Sequence, residues 1–252
     1  MLSKNKIKYI NSLKIKKYRS VHNQFIAEGN KIVRELISQN YPVDQIYCTE
    51  EWNNSVKNSL NNITICTQSE LKKISTVTTP QQVIAILNIP QAEIDYDLVS
   101  TELVLMLDNI QDPGNLGTIM RIADWFGIKN IICSGESVDV YNPKVIQASM
   151  GAFTRVSVHY TDLTIALSEI KDRHEVPVYG TFLEGENIYN EPLSKNGIII
   201  MGNEGKGISE KLEKFINRKI FIPNYPANAE TSESLNISVA TAITCSEFRR
   251  RL

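Results

Sequence analysis

Three stretches of the 252-residue chain gather glycines, amides and charges at spacings suited to binding a nucleotide or a polyanion. The first is Leu107-Asp108-Asn109-Ile110-Gln111-Asp112-Pro113-Gly114-Asn115-Leu116-Gly117-Thr118-Ile119-Met120-Arg121. An apolar run enters a Pro-Gly turn, Asn115 can cap the following helix, and Arg121 lies off the apolar stripe of Ile119, Ile122, Ala123 and Phe126, where a cation can meet a phosphate. The second is Ile198-Ile199-Ile200-Met201-Gly202-Asn203-Glu204-Gly205-Lys206-Gly207-Ile208-Ser209. Its glycines allow close backbone approach or positive φ. Their order differs from the Gly-x-Gly-x-x-Gly dinucleotide fingerprint, and Ile208 stands where a P-loop needs lysine, so neither phosphate loop is supported. The third joins Ile222-Pro223-Asn224 to Glu233-Ser234-Leu235-Asn236-Ile237-Ser238-Val239-Ala240-Thr241-Ala242, with Glu247 and Arg249 to Arg251 beyond. Ser234 or Asn236 can cap a helix there. Taken singly, each stretch is also readable as a capped helix or a tight turn.

The elements that must position these groups follow from periodicity. Strand-like runs at Leu103–Leu107, Asn130–Cys133, Val178–Thr181, Ile198–Met201 and Ile220–Ile222 alternate with helical patterns at Asn115–Phe126, near Pro143, at Ser209–Ile216 and from Asn236 onward. Short apolar strands between helices imply an α/β domain with a mainly parallel sheet covered by helices on both faces. In such sheets ligands bind beyond the carboxyl ends of the strands, where the three stretches fall. Upstream, Ile32, Val33, Leu36 and Ile37 predict a helix over Ala27–Gln39, and strands are expected at Val43–Cys48 and Gln82–Leu87. Pro90 to Ser100 is polar and acidic behind a helix-breaking proline, which divides the chain into an N-terminal domain at 1–92, a linker at 93–100 and a C-terminal domain at 101–252.

A 42% hydrophobic, 22% charged composition suits globular domains. No apolar run approaches membrane-helix length, and the early lysines lack a signal-peptide core, so a cytoplasmic protein is expected. Cys48, Cys66, Cys133 and Cys245 are widely spaced from one another and from His22, His159 and His174, giving no zinc-ligand pattern and no expected metal. The net charge of −1 conceals an asymmetry: Lys4, Lys6, Lys8, Lys14, Lys16, Lys17 and Arg19 occur before any acidic residue, leaving the remainder at −8. Such an arm fits a polyanion bound at one end of the molecule, although Ile7, Ile10 and Leu13 also fit an ordinary amphipathic helix.

Together the three stretches resemble the SpoU (TrmH-type) family of RNA ribose 2′-O-methyltransferases in the SPOUT superfamily. Its first motif, Asn-x-Gly-x-x-x-Arg, is matched by Asn115, Gly117 and Arg121, and its second, Gly-x-Glu-x-x-Gly, by Gly202, Glu204 and Gly207. Its third is matched by Ile222, Pro223, Ser234, Leu235, Asn236, Ser238 and Ala240. Between them, Gln147-Ala148-Ser149-Met150-Gly151-Ala152 is similar to the family's Ala-Ser-x-Gly-Ala stretch. Lys17-Tyr18-Arg19, Phe25-Ile26-Ala27-Glu28-Gly29 and Thr78-Thr79-Pro80-Gln81-Gln82-Val83 look like the family's small α/β RNA-binding domain, similar to a ribosomal-protein fold, with Gln82 where many members have glycine.

The resemblance implies a SPOUT-type sheet with a trefoil knot, a homodimer, and methyl transfer from S-adenosylmethionine to a ribose 2′-hydroxyl of structured RNA. Ribosomal RNA is preferred to tRNA because of the separate N-terminal module. A catalytically inactive RNA-binding protein of the same fold is the alternative. Carried over by position, Arg121, Asn115, Glu204, Ser234 and Asn236 are the catalytic candidates, with Arg121 beside the phosphate of the target nucleotide. Thr181, Phe182, Gly202, Ile222, Leu235 and Ala240 are expected to contact the methyl donor, and Lys14, Lys16, Lys17 and Arg19 the RNA backbone.

Overall fold

The computed structural model describes residues 1–56, 62–91, 93–226 and 232–250, so Arg251 lies outside the described residues. The chain forms two compact units, Met1–Gln91 with Asp139–Thr154, and Ala92–Val138 with Arg155–Leu252.

The first unit contains α1 (Lys4–Ser12), α2 (Lys16–His22), β1 (Gln24–Glu28), α3 (Asn30–Ser38), β2 (Val43–Cys48), α4 (Glu50–Ser55), β3 (Ile63–Ile65), α5 (Gln68–Ile74) and β4 (Val83–Asn88). The sheet order is β1-β4-β2-β3, with β4 antiparallel to β1 and β2. The helix expected over Ala27–Gln39 begins only at Asn30, because Gln24–Glu28 pairs with β4 and Gly29, at φ 117°, separates strand from helix. Ile10, Leu13, Ile26, Leu71, Ile74, Ile84 and Ile86 close the core between sheet and helices.

Glu28 sits 2% exposed at the end of β1 and accepts hydrogen bonds from Ser75 Oγ (2.6 Å), Thr76 N (2.6 Å), Thr76 Oγ1 (2.7 Å) and Gln81 N (3.4 Å). A buried carboxylate needs such partners, and here they come from one loop, which Glu28 thereby holds. Gln82, the departure from the family glycine, keeps an ordinary backbone and donates to Glu51 Oε2 at 2.9 Å.

Residues 139–154, assigned from sequence to the C-terminal domain, pack with this first unit. Arg19 Nε donates to Asp139 Oδ2 at 3.0 Å, and the Phe25 ring lies 4.6 Å from Tyr141 and 5.8 Å from Phe153.

The second unit runs β5 (Leu103–Leu107), α6 (Pro113–Trp125) and β6 (Asn130–Ser134). After α7 (Pro143–Ser149), which belongs to the first unit, it resumes with β7 (Ser157–Thr161), α8 (Leu163–Arg173), β8 (Val178–Asn187), β9 (Gly197–Met201), α9 (Glu210–Glu213), β10 (Arg218–Phe221) and α10 (Ile237–Arg250). The six strands lie in the order β10-β8-β9-β5-β6-β7, and every adjacent pair is parallel. The expected α/β sheet is therefore present.

Alternate residues of the central strands point to opposite faces. Val104, Met106, Ile132, Ile198 and Ile200 pack with Leu163, Ala166, Leu167 and Ile170 of α8. On the other face, Tyr179 meets Phe248 of α10 with ring centroids 4.8 Å apart. β7 and α8 were not anticipated. β7 is a half-exposed strand with a single aliphatic residue, whereas the α8 stripe has clear helical spacing. The helix expected over Ser209–Ile216 is shortened to Glu210–Glu213, and β8 extends six residues past Thr181 to pair again with β10 across a register shift. The 93–100 stretch includes a 3-10 turn over Tyr96–Ser100 with Val99 buried, so its polar composition does not make it a free linker.

No helix among the described residues is long and apolar enough to cross a membrane. All four cysteines are free and buried, and burial pushes the Cys48 and Cys66 thiols up to about 11 and Cys245 to about 12, with Cys133 raised as well. Thiolates rather than thiols react. The native protein should therefore show less than about one fast-reacting thiol with an aromatic disulfide reagent at pH 7.5, and all four after denaturation; two or more reacting at once would contradict this burial.

Candidate active site

The strand order reverses direction between β5 and β9. The loop after β5 leads toward β6, and the loop after β9 leads back toward the β8 and β10 side, so their shared carboxyl edge is the switch point at which open α/β sheets bind ligands. Leu107 pairs with Met201 in the last register of the ladder, and Asp108 N extends it to Met201 O at 2.9 Å. The Asp108 side chain is 5% exposed and accepts from Ser209 N at 2.7 Å, tying the two loops at their bases.

Asn109 follows in the left-handed region at φ 59°, with its N–H on Ser134 Oγ at 2.8 Å. Asp112, not Asn115, caps α6, accepting from Asn115 N at 2.8 Å, and Pro113 occupies the first turn. Asp before Pro is a strong helix start, because the carboxylate takes an unpaired N–H and proline has none to lose. The earlier start frees the Asn115 side chain to reach the loop after β9. At the other end, Arg249 Nε donates to Phe126 O at 2.8 Å, so this terminal arginine caps α6, while Arg250 pairs with Glu247.

The loop after β9 closes on itself through reciprocal Asn203–Gly207 backbone bonds of 2.9 Å. A Cβ on Gly202 would lie 2.2 Å from Gly207 C, and Gly207 has φ 71°; both positions require glycine for this turn. The result is a compact loop that presents Glu204 toward α6.

From the third segment, Asn236 caps α10: its Oδ1 accepts from Ser238 N (3.0 Å), Ser238 Oγ (2.6 Å) and Val239 N (3.4 Å). That leaves Asn236 Nδ2 to donate to Asn115 Oδ1 at 3.0 Å, and Asn115 Nδ2 to donate to Glu204 Oε1 at 2.9 Å. Donors thus point one way, from the start of α10 through two amides to a carboxylate, an arrangement in which each bond polarises the next. Three of the five catalytic candidates are joined directly. Arg121, six residues or about 9 Å along α6 from Asn115, is exposed and has no hydrogen-bond partner among the described residues. Ser234 is exposed and outside the network, and the helix cap it could have supplied comes from Asn236.

Four of the six residues expected to hold the methyl donor, Thr181, Phe182, Gly202 and Ile222, lie at the β8, β9 and β10 side. Gly180 pairs with both Ile200 and Lys219, which sets Thr181 and Phe182 level with the end of β9; Gly202 and Ile222 immediately follow β9 and β10. Thr181 Oγ1 donates to Ile200 O at 3.2 Å, and the Phe182 ring, with Lys219 Nζ 4.6 Å from its centroid, packs on the sheet core. Ile222 and Ala240 are half-buried, and Leu235 is 47% exposed. Apolar side chains at a strand end fit the adenosine part of S-adenosylmethionine, which needs shape and few charges.

The basic arm, within the first unit, divides. Lys16 and Lys17 are exposed on α2. Lys14 is half-buried, donates to Ser75 O at 2.6 Å, and has its pKa lowered by burial. Arg19 departs from its expected RNA contact: it is 3% exposed, paired with Asp139 and bonded to Leu13 O at 3.0 Å, so its guanidinium is committed inside the unit. Sequence reading also passed over Asp108, Asp112 and Asn203. The Asp112-Pro113 pair was a legible cap signal, whereas the other two act through cross-loop contacts that carry no local pattern. No group of three or more metal-ligating side chains occurs among the described residues.

Residues 102–246 match the SpoU rRNA Methylase family, and residues 4–85 match the MRM3-like substrate binding domain. The 23S rRNA (guanosine(2553)-2′-O)-methyltransferase RlmP of Bacillus subtilis is 32% identical over 242 residues, covering 94% of this chain and 93% of its own. Among solved structures, a TrmH-family chain from Porphyromonas gingivalis superposes with a TM-score of 0.89 at 40% identity over the whole of both chains. An S-adenosylmethionine-bound rRNA methyltransferase from Sinorhizobium meliloti superposes at 0.85 with 27% identity, over 100% of this chain and 97% of that one.

The cap at Asn236 generates a stability test. Asn236→Ala should lower unfolding free energy by about 1 kcal/mol in urea titrations, whereas Asn236→Ser, which keeps a capping oxygen and adds no charge beside Glu204, should stay within about 0.5 kcal/mol of the parent. Equal midpoints for the alanine variant and the parent would remove Asn236 from the cap.

Proposed function

The chain belongs to the SpoU rRNA methylase family, and we propose that it transfers a methyl group from S-adenosylmethionine to a ribose 2′-hydroxyl of ribosomal RNA. The observation that carries this reading is the direct hydrogen bonding of Asn115, Glu204 and Asn236, from three distant segments, at one edge of a parallel sheet. Similarity to RlmP over nearly the whole length of both chains supports ribosomal RNA over tRNA as the substrate.

S-adenosylmethionine, when bound, supplies an activated methyl group whose leaving group is already in place. The protein has to align the 2′-oxygen, limit competing water and let the hydroxyl proton depart to solvent as the oxygen–methyl bond forms and the sulfonium leaves as a neutral thioether. Thr181, Phe182, Gly202, Ile222, Leu235 and Ala240 hold the donor. Asn115 and Asn236, with orientations set by the relay, line the transfer site beside Glu204, and Ser234 completes that lining. Arg121 takes the phosphate adjoining the target ribose. A guanidinium keeps its proton at neutral pH, so phosphate binding suits it better than service as a base. The 2′-hydroxyl requirement makes RNA, not DNA, the acceptor.

The reading includes a homodimer, a knotted carboxyl edge and a cytoplasmic location. Trp125 is 85% exposed one turn beyond Arg121, and Val239 is 48% exposed on α10, which packs against α6; a second copy covering these helices would bury both and bring its own groups near the site. In the first unit, Lys16 and Lys17 give salt-sensitive attraction to the RNA backbone, and Lys14 adds to it.

Radiolabelled S-adenosylmethionine incubated with unmodified rRNA and tRNA should label one rRNA ribose. Arg121→Ala should reduce the rate by about 10²–10³-fold. RNA binding without transfer by the parent protein would instead favour the inactive RNA-binding alternative. In filter binding across a salt series, replacing both Lys16 and Lys17 with alanine should lower the magnitude of the log–log salt slope by about 2; an unchanged slope would place the RNA elsewhere.

A further inference from the structure

The family motif leaves position 203 open, yet the Asn203 side chain bonds both within its own loop and across to the loop after β5. Its Oδ1 accepts from Gly205 N and Lys206 N, both at 3.0 Å. This assigns the amide: with the oxygen facing two N–H groups, Nδ2 must face the other way. There it donates to Asn109 O at 2.7 Å and lies 3.4 Å from Glu204 Oε2. Asn115 already holds the second Glu204 oxygen at 2.9 Å, so the carboxylate is gripped from both sides, once by each loop. The backbone bonds between Asn203 and Gly207 complete the turn that carries it.

We propose that Asn203 is a positioning residue for the methyl-transfer site, locking the loop after β9 to the loop after β5 and thereby fixing Glu204 against Asn115. The proposal rests on the methyltransferase reading for its kinetic consequence and on geometry alone for the coupling. No other common side chain of this size meets both demands. Aspartate keeps the acceptor for Gly205 and Lys206, but it turns a second oxygen toward the Asn109 carbonyl and the Glu204 carboxylate. Serine can accept from the loop's N–H groups but has no donor long enough for Asn109 O, and alanine does neither.

This predicts a signature that loss of packing would not produce. In Asn203→Asp, the oxygen facing Asn109 O and Glu204 can become a donor only by taking up a proton. Glu204 pushes that aspartate's pKa up while the Gly205 and Lys206 N–H groups pull it down, and in either case the donor returns only as pH falls. Methyl transfer by Asn203→Asp should be about 10–100-fold slower than the parent at pH 8, with the deficit shrinking as pH falls toward 6. Asn203→Ala should show a similar deficit at every pH. Affinity for S-adenosylmethionine and the KM for RNA should change less than kcat in both variants.

Hydrogen exchange supplies a readout that does not depend on activity. Asn203→Ala should lose protection at 203–207 and also at 109–111, because one amide joins both loops. Rates for both variants within two-fold of the parent would overturn the proposal, as would an Asn203→Asp deficit that grows as pH falls. So would exchange that rises at 203–207 alone. If the parent transfers no methyl group, the functional reading fails, and coupled exchange at 109–111 still decides whether Asn203 joins the loops.

Discussion

The parallel pairing of β5 with β9 is the constraint on which the site depends. Chain direction reverses at this pair, so two loops from segments about 90 residues apart leave the sheet side by side. Ladder bonds end at Leu107 and Met201, and the next residues continue the connection by other means: Asp108 through Ser209 N, and Asn203 through Asn109 O. Had either strand paired elsewhere, Asn115 and Glu204 would have no reason to meet. Gly202 and Gly207 serve the same constraint, since a side chain at Gly202 would occupy the space of the loop's own return.

A polar relay built on this edge uses groups that must be satisfied anyway. The first N–H groups of α10 need acceptors, and Asn236 Oδ1 supplies one. Its remaining donor orients Asn115, whose remaining donor meets Glu204. Helix capping and the orientation of Asn115 are therefore performed by the two ends of one amide. Arg121 differs because it has no hydrogen-bond or ion-pair partner among the described residues.

The first unit follows a parallel logic with another chemistry. Glu28 would be costly to bury alone, and four donors from residues 75–81 offset that cost. The loop that resembles the family's RNA-binding pattern is consequently ordered from beneath by a carboxylate rather than by a glycine turn at position 82. Arg19 shows the same economy in reverse. Its charge made it an RNA candidate, but Asp139, 120 residues away, claims it for packing. Local charge counts treat Lys17 and Arg19 alike, and only the fold separates the exposed cation from the buried one.

Much of the architecture was legible in the residues themselves. Apolar strands ending in glycine and amide-rich loops marked the parallel sheet and its functional edge, because strand burial and turn conformations impose local composition. The ordered motifs at Asn115–Arg121, Gly202–Gly207 and Ser234–Ala240 marked the family for the same reason. What the tertiary structure alone decided was partnership: Asp112 rather than Asn115 as the cap, Asn236 joined to Asn115, Asn203 bridging two loops, Arg19 withdrawn into the interior, and residues 139–154 packed with the N-terminal unit. Each depends on contacts between residues far apart in the chain, and such distances are set by strand order and packing, which leave no period or spacing in the sequence to read.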